Sequence, residues 1–156
     1  MKRKELYMGT TLIAPIRTIG EIHAYLVRCG AKQIMNTYDN GEPSAVHFML
    51  SLNGQEIAFE LPARVEPVYK IINGGEYGRN KQRDLDQAKR TAWRQIYRWI
   101  QAQLALIETG MAQPSEVFMP YMQVAGANGE VTTFYERALR SGLHQLALPP
   151  KAMEEA

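Results

Sequence analysis

Residues Lys81 to Thr109 read KQRDLDQAKRTAWRQIYRWIQAQLALIET, a stretch without a proline or a glycine. Apolar or small residues recur at Leu85, Ala88, Ala92, Ile96, Trp99 and Leu106, with Gln103 in the same register. Trp93, Ile100, Leu104 and Ile107 widen the stripe. That spacing predicts one long helix with a broad buried face, around which the chain is built. The stretch also carries Arg90, Arg94 and Arg98 at intervals of one turn, which places three guanidinium groups along one ridge. No basic residue follows Arg98 in it.

Between Arg79 and Arg98 stand Arg79, Lys81, Arg83, Lys89, Arg90, Arg94 and Arg98, opposed only by Asp84 and Asp86. The whole chain carries a formal charge of +2, so the remainder is net acidic. A local basic stripe on a nearly neutral chain points to an anionic partner more specifically than a high isoelectric point does. The bland alternative is a solvated helix face.

The other bounds are ordinary. A length of 156 residues suits one domain, with 46% apolar and 22% charged residues. The sequence predicts a domain over residues 1–140 and a mobile tail over 141–156, where Pro149-Pro150 and KAMEEA end the pattern. No apolar run approaches the roughly 20 residues that cross a bilayer, and no signal-peptide core follows Met1-Lys2-Arg3-Lys4, so a cytoplasmic protein is expected. A single cysteine, Cys29, provides neither a disulfide nor a thiolate pair for zinc and reads as a core thiol.

Upstream, Leu6 to Ile13 is a short strand or an ordered arm, closed by Pro15. Thr18 and Glu21 have the spacing of a capping box for a helix whose stripe is Ile19, Ile22, Leu26 and Cys29, ended by Gly30. Three strands follow: Gln33 to Tyr38, Ala45 to Leu52 and Gln55 to Leu61. Val46, Phe48, Leu50, Ile57, Phe59 and Leu61 face inward, and Asn53-Gly54 suits a tight turn. Pro67 sits in the first turn of a short helix before the loop NGGEYG. Thr133 and Glu136 have the spacing of a cap on a last short helix. The fold class expected is therefore α+β, with a three-stranded antiparallel sheet packed against one long helix and short flanking helices.

The motifs LPARVEPVYKI, TAWRQIYRWIQAQLALIETGM and EVFMPYM resemble those of an uncharacterised family of small proteins encoded by bacteriophages and prophages, over about Thr10 to Tyr135. The resemblance implies a mobile-element setting and transfers no activity. The order helix, three strands, helix is also similar to that of a double-stranded RNA-binding domain, whose second helix begins in a basic turn that meets phosphates.

No constellation for catalysis stands out. His23, His47 and His144 have no metal-ligand spacing, and the pairs Asp84/Asp86 and Glu56/Glu60 suit a helix first turn and an exposed strand face. The three glycines of the loop lack the Lys-Ser or Lys-Thr of a phosphate loop. No cofactor or metal is expected. Two functions compete. In the first, the chain binds nucleic acid through Arg79, Lys81, Arg83, Arg90, Arg94 and Arg98, with Tyr77 stacking on a base. In the second, it is a protein-binding inhibitor or adaptor that uses Phe118, Met119, Tyr121 and Met122 as an anchor patch on a host or phage protein if they are exposed, core packing being the favoured reading of these four.

Overall fold

Two Asn-Gly turns set the sheet. The computed structural model describes residues 5–74, 80–145 and 147. In it, Asn40-Gly41 and Asn53-Gly54 all take positive φ, from 50° to 80°. That backbone matches the twist of an antiparallel pair, so each turn joins adjacent strands with two residues. The strands are β1 (Gln33–Asp39), β2 (Glu42–Leu52) and β3 (Gln55–Pro62), ordered β1-β2-β3 and antiparallel throughout. β2 begins three residues earlier than its alternation implies, because the turn uses only Asn40 and Gly41 and Glu42 already pairs with Asp39. Tyr38 opposes Pro43 while Thr37 opposes Ala45, so Ser44 is the extra residue of a bulge. This is how Pro43, which has no amide to donate, fits inside the strand. Pro62 is the last residue of β3, and Ala63 still donates to Ser44 O at 2.9 Å.

One face of the sheet is covered. Val46, Phe48, Leu50, Phe59 and Leu61 meet α1 (Pro15–Arg28) and α3 (Lys81–Glu108) in one core with Ile19, Ile22, Leu26, Trp93, Ile100 and Leu104. α1 starts three residues before the expected cap. Pro15, rather than closing a strand, occupies the first turn of the helix, where its missing N–H costs nothing. Thr18 and Glu21 therefore do not form a capping box. Thr18 is fully buried inside the helix, and Glu21 is free to reach α3. Cys29 is buried, and Gly30 takes a φ of 101° just past the helix end.

Asn80 caps α3, its side-chain oxygen accepting from the Arg83 amide at 3.0 Å. Ala88, Thr91 and Ala92 are small and buried, which lets the helix be flanked closely by α2 (Val65–Asn73) on one side and by the N-terminal arm on the other. The arm is ordered without being a strand. Three side chains on one line of α3 hold its main chain: Gln87 Nε2 donates to Thr11 O at 3.0 Å, Thr91 Oγ1 to Met8 O at 3.2 Å and Gln95 Nε2 to Tyr7 O at 2.8 Å.

Beyond α3, α4 (Pro114–Phe118) and a single 3-10 turn, Met119–Tyr121, lead into a small hairpin of β4 (Gln123–Ala125) and β5 (Val131–Thr133). Met122 bridges to Phe59, which sets the hairpin beside β3. α5 (Phe134–Arg140) carries the expected cap, with Thr133 and Glu136 each bonding the other's amide. A 3-10 turn at Leu143–Gln145 follows, inside the stretch 141–156 expected as a mobile tail, most of which lies outside the described residues. No helix among the described residues is long and apolar enough to cross a membrane.

Candidate nucleic-acid interface

The basic residues of α3 divide into two sets. Lys89 and Arg94 are ion-paired: Lys89 Nζ lies 3.1 Å from Glu42 Oε1, and Arg94 Nη1 lies 2.6 Å from Glu21 Oε2. Lys81, Arg83, Arg90 and Arg98 have no carboxylate within ion-pairing distance among the described residues. Arg90 and Arg98 hold only neutral partners. Arg90 Nη2 donates to Gln87 Oε1 at 2.7 Å, and Arg98 Nη1 donates to Gln101 Oε1 at 2.8 Å. Among the described residues elsewhere, Arg17, Arg28, Lys32, Lys70 and Arg140 sit within 4 Å of a Glu carboxylate, and Arg64 and Arg137 do not.

The ridge of three arginines expected from the sequence is thus broken at its middle. Arg94 is only 6% exposed. Its guanidinium stacks on Tyr97 at 3.9 Å from the ring centre, and Nη1 also reaches Thr18 Oγ1 at 3.4 Å. The reason is α1, which runs along this side of α3 and presents Glu21. Burial of a cation is tolerated where a carboxylate meets it. The hydrogen bond from Arg94 holds the Glu21 carboxyl below its usual range, with Arg17 assisting against the opposing effect of burial. Arg94 is therefore a strut between helices and no phosphate contact.

The aromatic residues follow the same logic. Trp93 is buried in the core, and Tyr97 is hydrogen-bonded to Tyr25 at 3.1 Å between the hydroxyls. That bond, with burial, raises the Tyr97 hydroxyl above its ordinary range and keeps it a neutral donor or acceptor. Neither ring is free to stack on a base. Tyr77 and Arg79 lie outside the described residues.

The proposed anchor patch is core instead. Phe118 is fully buried, edge-on to Phe48 at 5.0 Å, Phe59 at 6.1 Å and Trp99 at 5.9 Å. Tyr121 packs on Trp99 at 5.6 Å, and Met122 joins the core edge, which leaves only Met119 exposed. Four residues read as one surface are mostly the lid of the sheet's hydrophobic face.

Other candidate groups have structural duties. His23 shares a 2.8 Å hydrogen bond with Asn36 across α1 and β1. His47, on the open face of the sheet, lies between Thr37 Oγ1 at 3.3 Å and Gln123 Nε2 at 3.2 Å, and no carboxylate among the described residues is hydrogen-bonded to it. Burial, with Glu108 nearby, pushes the Cys29 thiol up to about 11, so it is no nucleophile near neutrality. Among the described residues no cluster of His, Cys, Asp and Glu has the arrangement of a metal site. Compared with models of protein families, with curated proteins and with solved structures, the chain matches none.

Proposed function

We propose that the chain binds nucleic acid with little sequence preference, using Lys81, Arg83, Arg90 and Arg98 to contact phosphates. A phage or prophage accessory role is the setting to which the motif resemblance points. The observation that carries the reading is selective neutralisation. Among the described residues, five of the seven basic side chains outside α3 are matched by a carboxylate, whereas four of the six on α3 are not. Arg83, Arg90 and Arg98 fall on one side of the helix and span about 22 Å at 1.5 Å per residue. That is the length of roughly six nucleotides along one strand at 3.4 Å each. Arginines without a carboxylate partner at that pitch suit a polyanion, and the amides beside them, Gln87 and Gln101, are engaged with the Arg90 and Arg98 guanidinium groups rather than held ready for base edges.

The test is fluorescence anisotropy with single-stranded and duplex DNA and RNA at low and moderate salt. The parent binds at low salt and loses affinity steeply with added salt. The triple variant Arg83→Gln, Arg90→Gln, Arg98→Gln binds every probe more weakly while keeping its circular dichroism. If the parent binds none of the four probes at low salt, the four cations are only a solvated face.

A further inference from the structure

A cavity of about 480 Å³ opens on the side of α3 away from the arginines. It lies where β3 ends and where α2, α3, the 3-10 turn and α5 converge. Its walls are Pro62, Val68, Ile96, Pro120, Tyr121 and Tyr135. That volume lies within the roughly 300–1,000 Å³ of small-molecule sites, and such sites combine apolar walls with a few placed polar groups. Besides the tyrosines with their hydroxyls, three polar residues line this one, and two are already engaged. Gln95 donates to the arm at Tyr7 O, and Thr133 Oγ1 accepts from the Glu136 amide. The third is Arg64, exposed at the rim, which has no carboxylate within ion-pairing distance among the described residues. Arg64 also stands at the N-terminus of α2, whose first turn no side chain caps.

We infer that this cavity binds a small monocarboxylate with a flat or branched apolar body. The apolar body lies between Tyr121 and Tyr135 and against Val68 and Ile96. The carboxylate meets the Arg64 guanidinium, whose planar fork matches two carboxylate oxygens. One uncommitted cation at the rim of an apolar cavity matches one negative charge. A dianion such as a phosphate monoester would leave charge uncompensated against the apolar walls. The site is independent of the phosphate-binding reading, because its walls come from the opposite side of α3.

The experiment is an equilibrium titration of the full chain with naphthoate and with its neutral analogue naphthamide, followed by ligand-observed NMR. The parent binds naphthoate saturably at one site and about tenfold more tightly than naphthamide, the effect of a charge-assisted hydrogen bond. Arg64→Gln abolishes that preference and leaves naphthamide binding in place. Val68→Trp fills the cavity and removes binding of both. Tyr135→Ala, at an exposed position, weakens both and serves if the Val68 variant does not fold. The triple α3 variant binds naphthoate as the parent does, which separates this site from the arginine stripe. Equal binding of the two probes, no binding of either at millimolar concentration, or a preference that survives Arg64→Gln overturns the inference.

Discussion

Arg94 and Glu21 tie the longest helix to the first one: Arg94 Nη1 donates to Glu21 Oε2 at 2.6 Å from a guanidinium that is almost wholly covered. Arg17 reaches the other oxygen of the same carboxylate at 3.3 Å. The residue at the centre of the sequence's basic ridge is therefore spent on packing, and the functional reading rests on the cations around it.

Removing that strut costs stability. Arg94→Gln leaves Glu21 facing a neutral side chain, and breaking one partner of a buried pair costs about 3–5 kcal/mol. Glu21 is itself partly hydrated, with a side chain 31% exposed, so the loss expected from urea unfolding is smaller, about 2–3 kcal/mol. A loss below about 0.5 kcal/mol, the range of ordinary surface substitutions, contradicts the assignment.

The same pair sets an acid limit. The folded Glu21 carboxyl is a stronger acid than its unfolded counterpart, so its contribution is complete above the unfolded value near 4.5 and is lost as pH falls through the folded value. Glu136, held low by its hydrogen bonds to Thr132 and Thr133, acts in the same direction. Stability measured from pH 6 down to pH 3 falls in the parent and falls less steeply in Glu21→Gln. Equal slopes refute the linkage.

The arm is the part of the fold held most by polar contacts. Thr91→Val keeps the volume and deletes the donor to Met8 O. The expected loss is about 1 kcal/mol, with faster amide exchange over residues 8–11 than in the core strands. Unchanged exchange there shows that the side-chain ladder does not hold the arm.

Much of the fold is legible from the residues because each element has a local cause. Asn53-Gly54 forces a tight turn, alternation from Val46 to Leu61 fixes the buried face, and Thr133 with Glu136 starts the last helix. What is not legible depends on tertiary context. Nothing near Arg94 in the chain announces Glu21, which lies on another helix, so a buried arginine and an exposed one look alike at helical spacing. The hairpin of β4 and β5 has three residues per strand and relies on the edge of β3 at Phe59 to form. The place of Arg64 is hidden in the sequence for the same reason, since the walls of its cavity come from separate stretches of the chain. For Phe118 and its neighbours the sequence favours core over patch, and burial decides between them.

That burial has its own test. Phe118→Ala removes a ring in contact with Phe48, Phe59 and Trp99, and the expected cost is about 3–5 kcal/mol. A variant close to parental stability contradicts the placement of Phe118 at the centre of the core.

The most direct measurement of the functional claim is the slope of log affinity against log salt for one single-stranded and one duplex probe. It is taken for the parent, for Arg94→Gln and for the triple variant Arg83→Gln, Arg90→Gln, Arg98→Gln. Each phosphate contact contributes about 0.9 to the slope on duplex and about 0.7 on a single strand. The account predicts that the triple variant is shallower by about 2–3 units on either probe, while Arg94→Gln, assayed where it is still folded, keeps the parental slope. A parent without salt-dependent binding, or a triple variant whose slope equals the parent's, contradicts it.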